Sequence, residues 1–357
     1  MNFIINLVYN IFKLFIESGA TLHKLVLYFP IFTEIKPEII NSLEQNAQFF
    51  SQLQDLTIDI KTFLGIKNTT NLLKVLIKNA TKISTLKLEG FYSNHEPQLF
   101  HILIRIIKSQ EQLRKFSFVG EKYLTKCYGL ISALESQKNS LQEVIIENFD
   151  YSAEFEVLKN CKNLETLRVF DYPVLLNTLN CKISTLDIAN SKFQIDASTI
   201  VQLLEHSGKQ LSPYITYLCI SKIGFSTQIL ELICNLQKLQ FLTLRCIVDI
   251  PEEELKLRVK QFAEILPLTL QYLNLAYNNW LIPYVDILLN NCNVPLNKLF
   301  IHRLDNEEKI KALIEFCTRN RTLNYVCVID GWRFNKIFIK KLAYTALVSY
   351  GRILVHC

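Results

Sequence analysis

Apolar side chains recur along this chain in two alternating rhythms. One is a short core of the form apolar-x-x-apolar-x-apolar. It occurs at Leu22/Leu25/Leu27, Leu53/Leu56/Ile58, Ile83/Leu86/Leu88, Leu113/Phe116/Phe118, Leu141/Val144/Ile146 and Leu164/Leu167/Val169. It continues at Ile183/Leu186/Ile188, Ile215/Leu218/Ile220, Leu239/Leu242/Leu244, Leu270/Leu273/Leu275, Leu296/Leu299/Ile301 and Leu323/Val326/Val328. Starts lie 19 to 32 residues apart, with a mean of about 27, a period that marks a stacked repeat. Alternation at the end of each core predicts a strand. Between cores the period switches to that of amphipathic helices, as in residues 98–107 (QLFHILIRII) and 197–205 (ASTIVQLLE). Pro37-Glu38, Pro251-Glu252 and Pro283 sit where a first helical turn tolerates proline, and Asp305 precedes Asn306-Glu307-Glu308 with acids suited to a positive helix end.

Strand, turn, helix and next strand make a parallel α/β progression with right-handed crossovers. The fold class expected is a leucine-rich-repeat solenoid, or horseshoe, of about 12 strand-helix repeats, with a parallel concave sheet and convex helices. Residues 1–20 are expected as an amino-terminal helix. Two roles stand for it: capping the solenoid, or facing a domain upstream. Residues 21–349 hold the repeats, and residues 350–357 a closing strand through Tyr350, Ile353 and Val355. Each unit buries its apolar side only against its neighbours.

Alternate strand residues leave opposite faces, so the positions two, four and six after each opening apolar residue should project from the concave sheet. Their composition divides in two. The first seven repeats carry Lys24, Lys87, Lys115 and Arg168 against Asp55, Asp59, Glu89, Glu143, Glu147 and Asp187. The last five carry Tyr217, Phe241, Tyr272, Phe300 and Tyr325, with Arg245, Asn274, Lys298 and His302 and no acid. Tyr217, Phe241, Tyr272 and Tyr325 share one register, predicting a ring ladder interrupted by Lys298. Aromatic side chains beside arginine have the composition of a protein-binding hot spot, and the expected partner is a protein on this concave face. Cross-strand rings also stabilise a sheet by packing on one another, and both readings stand.

Composition narrows the functional classes. Only 9 Gly and 9 Pro punctuate 357 residues, and nothing marks a linker. The net charge of +6 comes from 39 basic and 33 acidic residues with the signs interspersed, so no basic stripe points to nucleic acid. Residues 3–16 are apolar but lack a basic flank, and Asn6, Asn10 and Lys13 break the run, which disfavours a signal sequence or membrane span. The ten cysteines lack metal-ligand spacing and are expected as buried apolar residues of a reducing compartment, cytoplasm or nucleus. That pattern also counts against an extracellular receptor glycosylated at Asn68, Asn79 and Asn320. No cofactor, metal or catalytic residue is expected: His95-Glu96 is followed by Pro97, with the next histidine only at His101, and no nucleophile elbow or phosphate loop occurs.

The cores NLETLRVFDY (163–172), ISTLDIANSKF (183–193) and LQYLNLAYNNW (270–280), with the opening FKLFIESGATLHKL (12–25), resemble the leucine-rich-repeat half of fungal F-box/leucine-rich-repeat proteins. The resemblance implies target recognition for a cullin-type ubiquitin ligase, in which the F-box docks a Skp-type adaptor. No F-box is found in this chain. The adaptor and cullin are therefore expected as partners only if an F-box is encoded upstream of Met1. The alternative is a stand-alone scaffold or inhibitor with no role in ubiquitination. Where that family places Asn or Cys to bond the turn backbone, eight residues after the first apolar position, only Asn278 complies; the other turns must satisfy their backbone groups differently.

Overall fold

The computed structural model describes residues 13–28, 37–59, 66–91, 97–120, 128–149, 153–170, 183–189, 200, 214–329, 347–349 and 352–354. It is a leucine-rich-repeat solenoid made of two compact units, Met1–Lys182 and Ile183–Cys357.

The amino-terminal unit contains six strands: β1 (Lys24–Tyr28), β2 (Asp55–Asp59), β3 (Thr85–Phe91), β4 (Lys115–Gly120), β5 (Glu143–Glu147) and β6 (Thr166–Phe170). Each pairs in parallel with its sequence neighbour. The register matches equivalent core residues: Leu25 lies beside Leu56, Leu56 beside Leu86, and Leu86 beside Phe116. From β2 to β6 the apolar positions of each core are buried, as Leu53, Leu56 and Ile58 show at 0% exposure, whereas Leu22 and Leu27 of the first are only partly so. A phenylalanine cluster fills the centre: the Phe118 ring stacks on Phe149 at 3.8 Å and meets Phe91 edge-on at 5.5 Å.

Helices α1 (Pro37–Gln45), α2 (Ile66–Asn79) and α3 (Pro97–Ser109) lie between successive strands. Pro37 and Pro97 open their helices, where a missing N–H costs no intrahelical bond. α3 turns Leu99, Phe100, Leu103, Ile106 and Ile107 inward. The expectation of an α-helix in every repeat fails after β4. The described segments there are 3-10 helices, Ser132–Gln137 and Ala153–Asn160.

Buried glutamines join the repeats in this unit. Gln110 Nε2 donates to the Ala80 and Ile106 carbonyls, and its Oε1 accepts from Ile83 N–H. Gln137 does the same one repeat later, donating to the Ile107 and Gln110 carbonyls and accepting from Leu113 N–H. Backbone groups that the helix ends leave open are thus met by side-chain amides.

The carboxyl-terminal unit contains β7 (Thr185–Ala189), β8 (Tyr217–Gly224), β9 (Phe241–Ile247), β10 (Tyr272–Asn274), β11 (Lys298–His302) and β12 (Tyr325–Ile329), again parallel and in sequence order. Behind them lie α4 (Thr227–Asn235), α5 (Glu252–Ile265), α6 (Val285–Asn291) and α7 (Glu307–Arg319). Pro251 is the N-cap of α5 and three glutamates fill its first turn, where the positive end of the helix favours them. Asn306 caps α7 by accepting from Lys309 N–H at 3.0 Å. Pro283 departs from expectation: it lies inside a 3-10 helix, Asn279–Tyr284, and α6 starts only at Val285.

Of the helix expected at 197–205, only Ile200, which is buried, belongs to the described residues. Tyr350 and Val355 of the expected closing strand lie outside them. Around that point Leu347–Ser349 and Arg352–Leu354 form an antiparallel pair. Most of the expected amino-terminal helix, residues 1–12, also lies outside; residues 13–17 are helical, with Ile16 buried.

Candidate binding surface

The concave face of the amino-terminal unit mixes charges, as its sequence predicts. Lys115 pairs with Glu143 on the next strand at 3.3 Å. Both side chains keep water contact, so the pair stabilises little.

The carboxyl-terminal unit differs. Register aligns Tyr217, Phe241, Tyr272, Lys298 and Tyr325 across β8 to β12. The ring ladder is not interrupted at Lys298. Phe300, two residues further along the same face of β11, meets Tyr272 at 5.1 Å and Tyr325 at 5.2 Å between ring centres. With Tyr217 to Phe241 at 6.1 Å and Phe241 to Tyr272 at 6.0 Å, five rings run unbroken over five strands. Interplanar angles of 33° to 42° tilt neighbouring rings against one another, at separations within the roughly 4.5–7 Å over which aromatic pairs attract. Phe300 and Tyr325 also rest on the buried Ala276 and Cys327. The row is therefore half-buried by its own packing. Phe241, near its middle, remains 38% exposed. Burial pushes the Tyr272 and Tyr325 phenols up, and both stay protonated donors at neutral pH.

The polar residues predicted beside the rings occupy defined places. Asn274 Oδ1 accepts from Ala276 N–H at 3.2 Å, and its Nδ2 reaches the Tyr272 hydroxyl at 3.5 Å. Lys298 is exposed, replacing a ring in the first row. His302 is partly buried and its Nδ1 accepts from Arg303 N–H. Arg245 is exposed, and its guanidinium lies 4.1 Å from the centre of the Tyr277 ring, a cation–π contact. Tyr277 and Arg303 were not singled out in the sequence because they fall past their strand ends, where alternation no longer assigns a face.

The turn beneath these residues rests on Asn278, which is 1% exposed. Its Oδ1 accepts from Cys246 N–H at 2.7 Å, its Nδ2 donates to the Leu244 carbonyl at 2.8 Å, and Trp280 Nε1 donates to the Cys246 carbonyl at 3.0 Å. The single family-type asparagine thus bonds the preceding repeat. Asn148 does similar work in the amino-terminal unit, donating to the Gly120 carbonyl from a left-handed backbone at φ 62°. It stands seven residues after Leu141, not eight, and the sequence count missed it.

Among the described residues no group of three His, Cys, Asp or Glu could hold a metal ion, and no helix is long and apolar enough to cross a membrane. None of the seven described cysteines is in a disulfide. They are not all buried as expected: Cys234 is exposed, and Cys219 and Cys246 are partly so. Burial pushes the Cys161 thiol up to about 11. Cys246 keeps some accessible surface, but its thiol is desolvated and pushed up to about 12. The nucleophilic thiolate is suppressed at both. At pH 8, brief iodoacetamide treatment of folded protein should therefore alkylate Cys234 while leaving Cys161 and Cys246 unmodified, as peptide mass spectrometry would show. His23 and His101 are exposed, and His95, His206 and His356 lie outside the described residues.

No family model and no curated protein sequence matches the chain. Solved structures resemble it in fold. They include yeast Rad7 in its complex with Elc1, at 14% identity over 92% of this chain and 91% of that one, with a TM-score of 0.47. Another is the leucine-rich-repeat protein LegL7 of Legionella pneumophila, at 12% identity over 87% and 90% of the two chains and 0.42. A third is a leucine-rich-repeat protein of Leptospira interrogans, at 12% identity over 85% and 96% and 0.34. The similarity extends to repeat architecture alone.

Proposed function

We propose that the chain is a protein-binding module that holds its target on the concave face of β8 to β12. One observation carries this reading: a continuous row of five rings on one sheet face, partly open to solvent, bordered by Arg245 and Lys298. The rings already pack against each other, so little side-chain entropy remains to be lost on binding. Pre-packed aromatic side chains beside arginine are what interface hot spots are made of.

The finer reading places this module as the target-recognition half of an F-box-type ubiquitin-ligase adaptor. The resemblance of the repeat cores to that family supports it. Two measurements test the proposal at its two levels. Replacing Phe241 and Tyr272 together with alanine should lower target capture by tenfold or more, given about 1 kcal/mol or more for each hot-spot ring. Quantitative mass spectrometry of proteins retained by wild-type and variant chains from the native source reads this, with circular dichroism to confirm folding; equal capture by both would remove the site. Co-purification of a Skp-type adaptor with the full-length gene product tests the ligase assignment. Its absence would leave a binding module without ubiquitin transfer.

A further inference from the structure

Three features of the carboxyl-terminal unit select among proteins that could occupy the ring row. The first is charge. The concave positions of β8 to β12 hold no Asp or Glu, while Arg245 and Lys298 are exposed on them and Arg303 is exposed just beyond β11. The equivalent positions of the amino-terminal unit hold Asp55, Asp59, Glu89, Glu143 and Glu147, so freedom from acid is not a property of the repeat. The acids nearest in sequence follow the strand ends: Asp249, Asp305, which is bonded by Lys309, and Asp330, which lies outside the described residues.

The second feature is a row of primary amides. The residues immediately before β9, β10, β11 and β12 are Gln240, Gln271, Asn297 and Asn324. Their backbones are bonded rung to rung: Gln271 N–H donates to the Gln240 carbonyl, Asn297 N–H to Gln271, and Asn324 N–H to Asn297, at 2.7 to 2.9 Å. In the amino-terminal unit the corresponding residues are His23, Gln54, Ser84, Arg114, Gln142 and Glu165, with no such uniformity. A primary amide carries two donors and an acceptor with two lone pairs. It can bond both the N–H and the C=O of another main chain. Asn297 Nδ2 reaches Gln271 Oε1 at only 3.4 Å, a weak bond that a ligand can replace at small cost.

The third feature is dimension. Four rungs at about 4.8 Å span about 14 Å, the length of roughly four extended residues at about 3.3 Å each. The rings of β8 to β12 stand 5.1 to 6.1 Å apart.

We propose, building on the protein-binding reading above, that the occupant is an extended acidic peptide segment of the partner, laid across β9 to β12. The amide row bonds its main chain, the rings take its apolar side chains, and Arg245, Lys298 and Arg303 take its carboxylates. A folded partner with a neutral surface would gain from the rings but leave the cations unpaired and the amides without main chain to read.

Selection of random linear 12-residue peptides displayed on phage against the full chain tests this. Enriched sequences should combine Asp or Glu with apolar residues. A synthetic peptide of the strongest sequence should bind about tenfold or more weakly to the Arg245→Glu/Lys298→Glu variant, and several-fold more weakly to Gln271→Ala/Asn297→Ala, with circular dichroism unchanged in both. Enrichment of neutral or basic peptides, no enrichment, or acidic peptides indifferent to the charge reversal would overturn the acidic-peptide assignment. Those outcomes leave the hot-spot reading to stand or fall on Phe241 and Tyr272. A labelled dT12 oligonucleotide binding more tightly than the best peptide, and losing affinity in the same reversal, would also overturn it and point to single-stranded nucleic acid.

Discussion

Replacing Phe118 with alanine should lower the unfolding free energy by about 4 kcal/mol, the largest effect of any substitution considered for this chain. The side chain is wholly buried and lies between the Phe149 ring at 3.8 Å and Phe91 at 5.5 Å, both also buried. Three repeats contribute these rings, so the cavity opens at a junction, and stability in a stacked array is the sum of such junctions. Backbone hydrogen bonds between β3, β4 and β5 restrict collapse into the void. Denaturant melts should show a lower midpoint. Phe118→Leu, which retains most of the volume, should recover at least half of the loss; a melt unchanged by Phe118→Ala would mean that this cluster is not packed as described.

Asn278→Ala should cost about 2 kcal/mol, since it leaves a part-buried N–H at Cys246 and a buried carbonyl at Leu244 without their partner. Asn278→Asp is nearly isosteric yet should not rescue. It keeps the acceptor for Cys246 N–H, loses the donor to Leu244, and places a carboxylate at a 1% exposed site. Thermal melts of the two variants should therefore both fall well below wild type. Protection of the Cys246 amide from hydrogen exchange should be lost in Asn278→Ala. An aspartate variant as stable as wild type would show that water reaches this turn.

Strand positions and the face each side chain takes were legible because the core spacing forces them. Once Leu218, Leu242, Leu273 and Leu299 are buried, Tyr217, Phe241, Tyr272 and Lys298 must share the other face. What the period could not convey is direction within that face. Phe300 lies one row away from Lys298, and only its contacts with Tyr272 and Tyr325 make the row continuous. Gln110 and Gln137 read as ordinary polar residues after a helix, because nothing local distinguishes a solvated amide from one that meets the preceding repeat's backbone. The 3-10 helices after β4 were hidden for a related reason: the few apolar residues in these short segments mark a helical turn without fixing its pitch. The register shift at β8 and β9 depends on Lys222 adopting φ 59°, a conformation that sequence associates with Gly or Asn.

The side chains that tie one repeat to another share a polarity. Gln110, Gln137, Asn148, Thr269, Asn278, Arg319 and Thr322 each bond main-chain groups at smaller residue numbers, one repeat earlier. During synthesis, then, each repeat holds main-chain carbonyls open until the next is translated and its side chains close onto them. Losing its last segments should therefore leave main-chain carbonyls of the preceding repeat unmet, whereas losing its first frees side-chain donors that can turn to water.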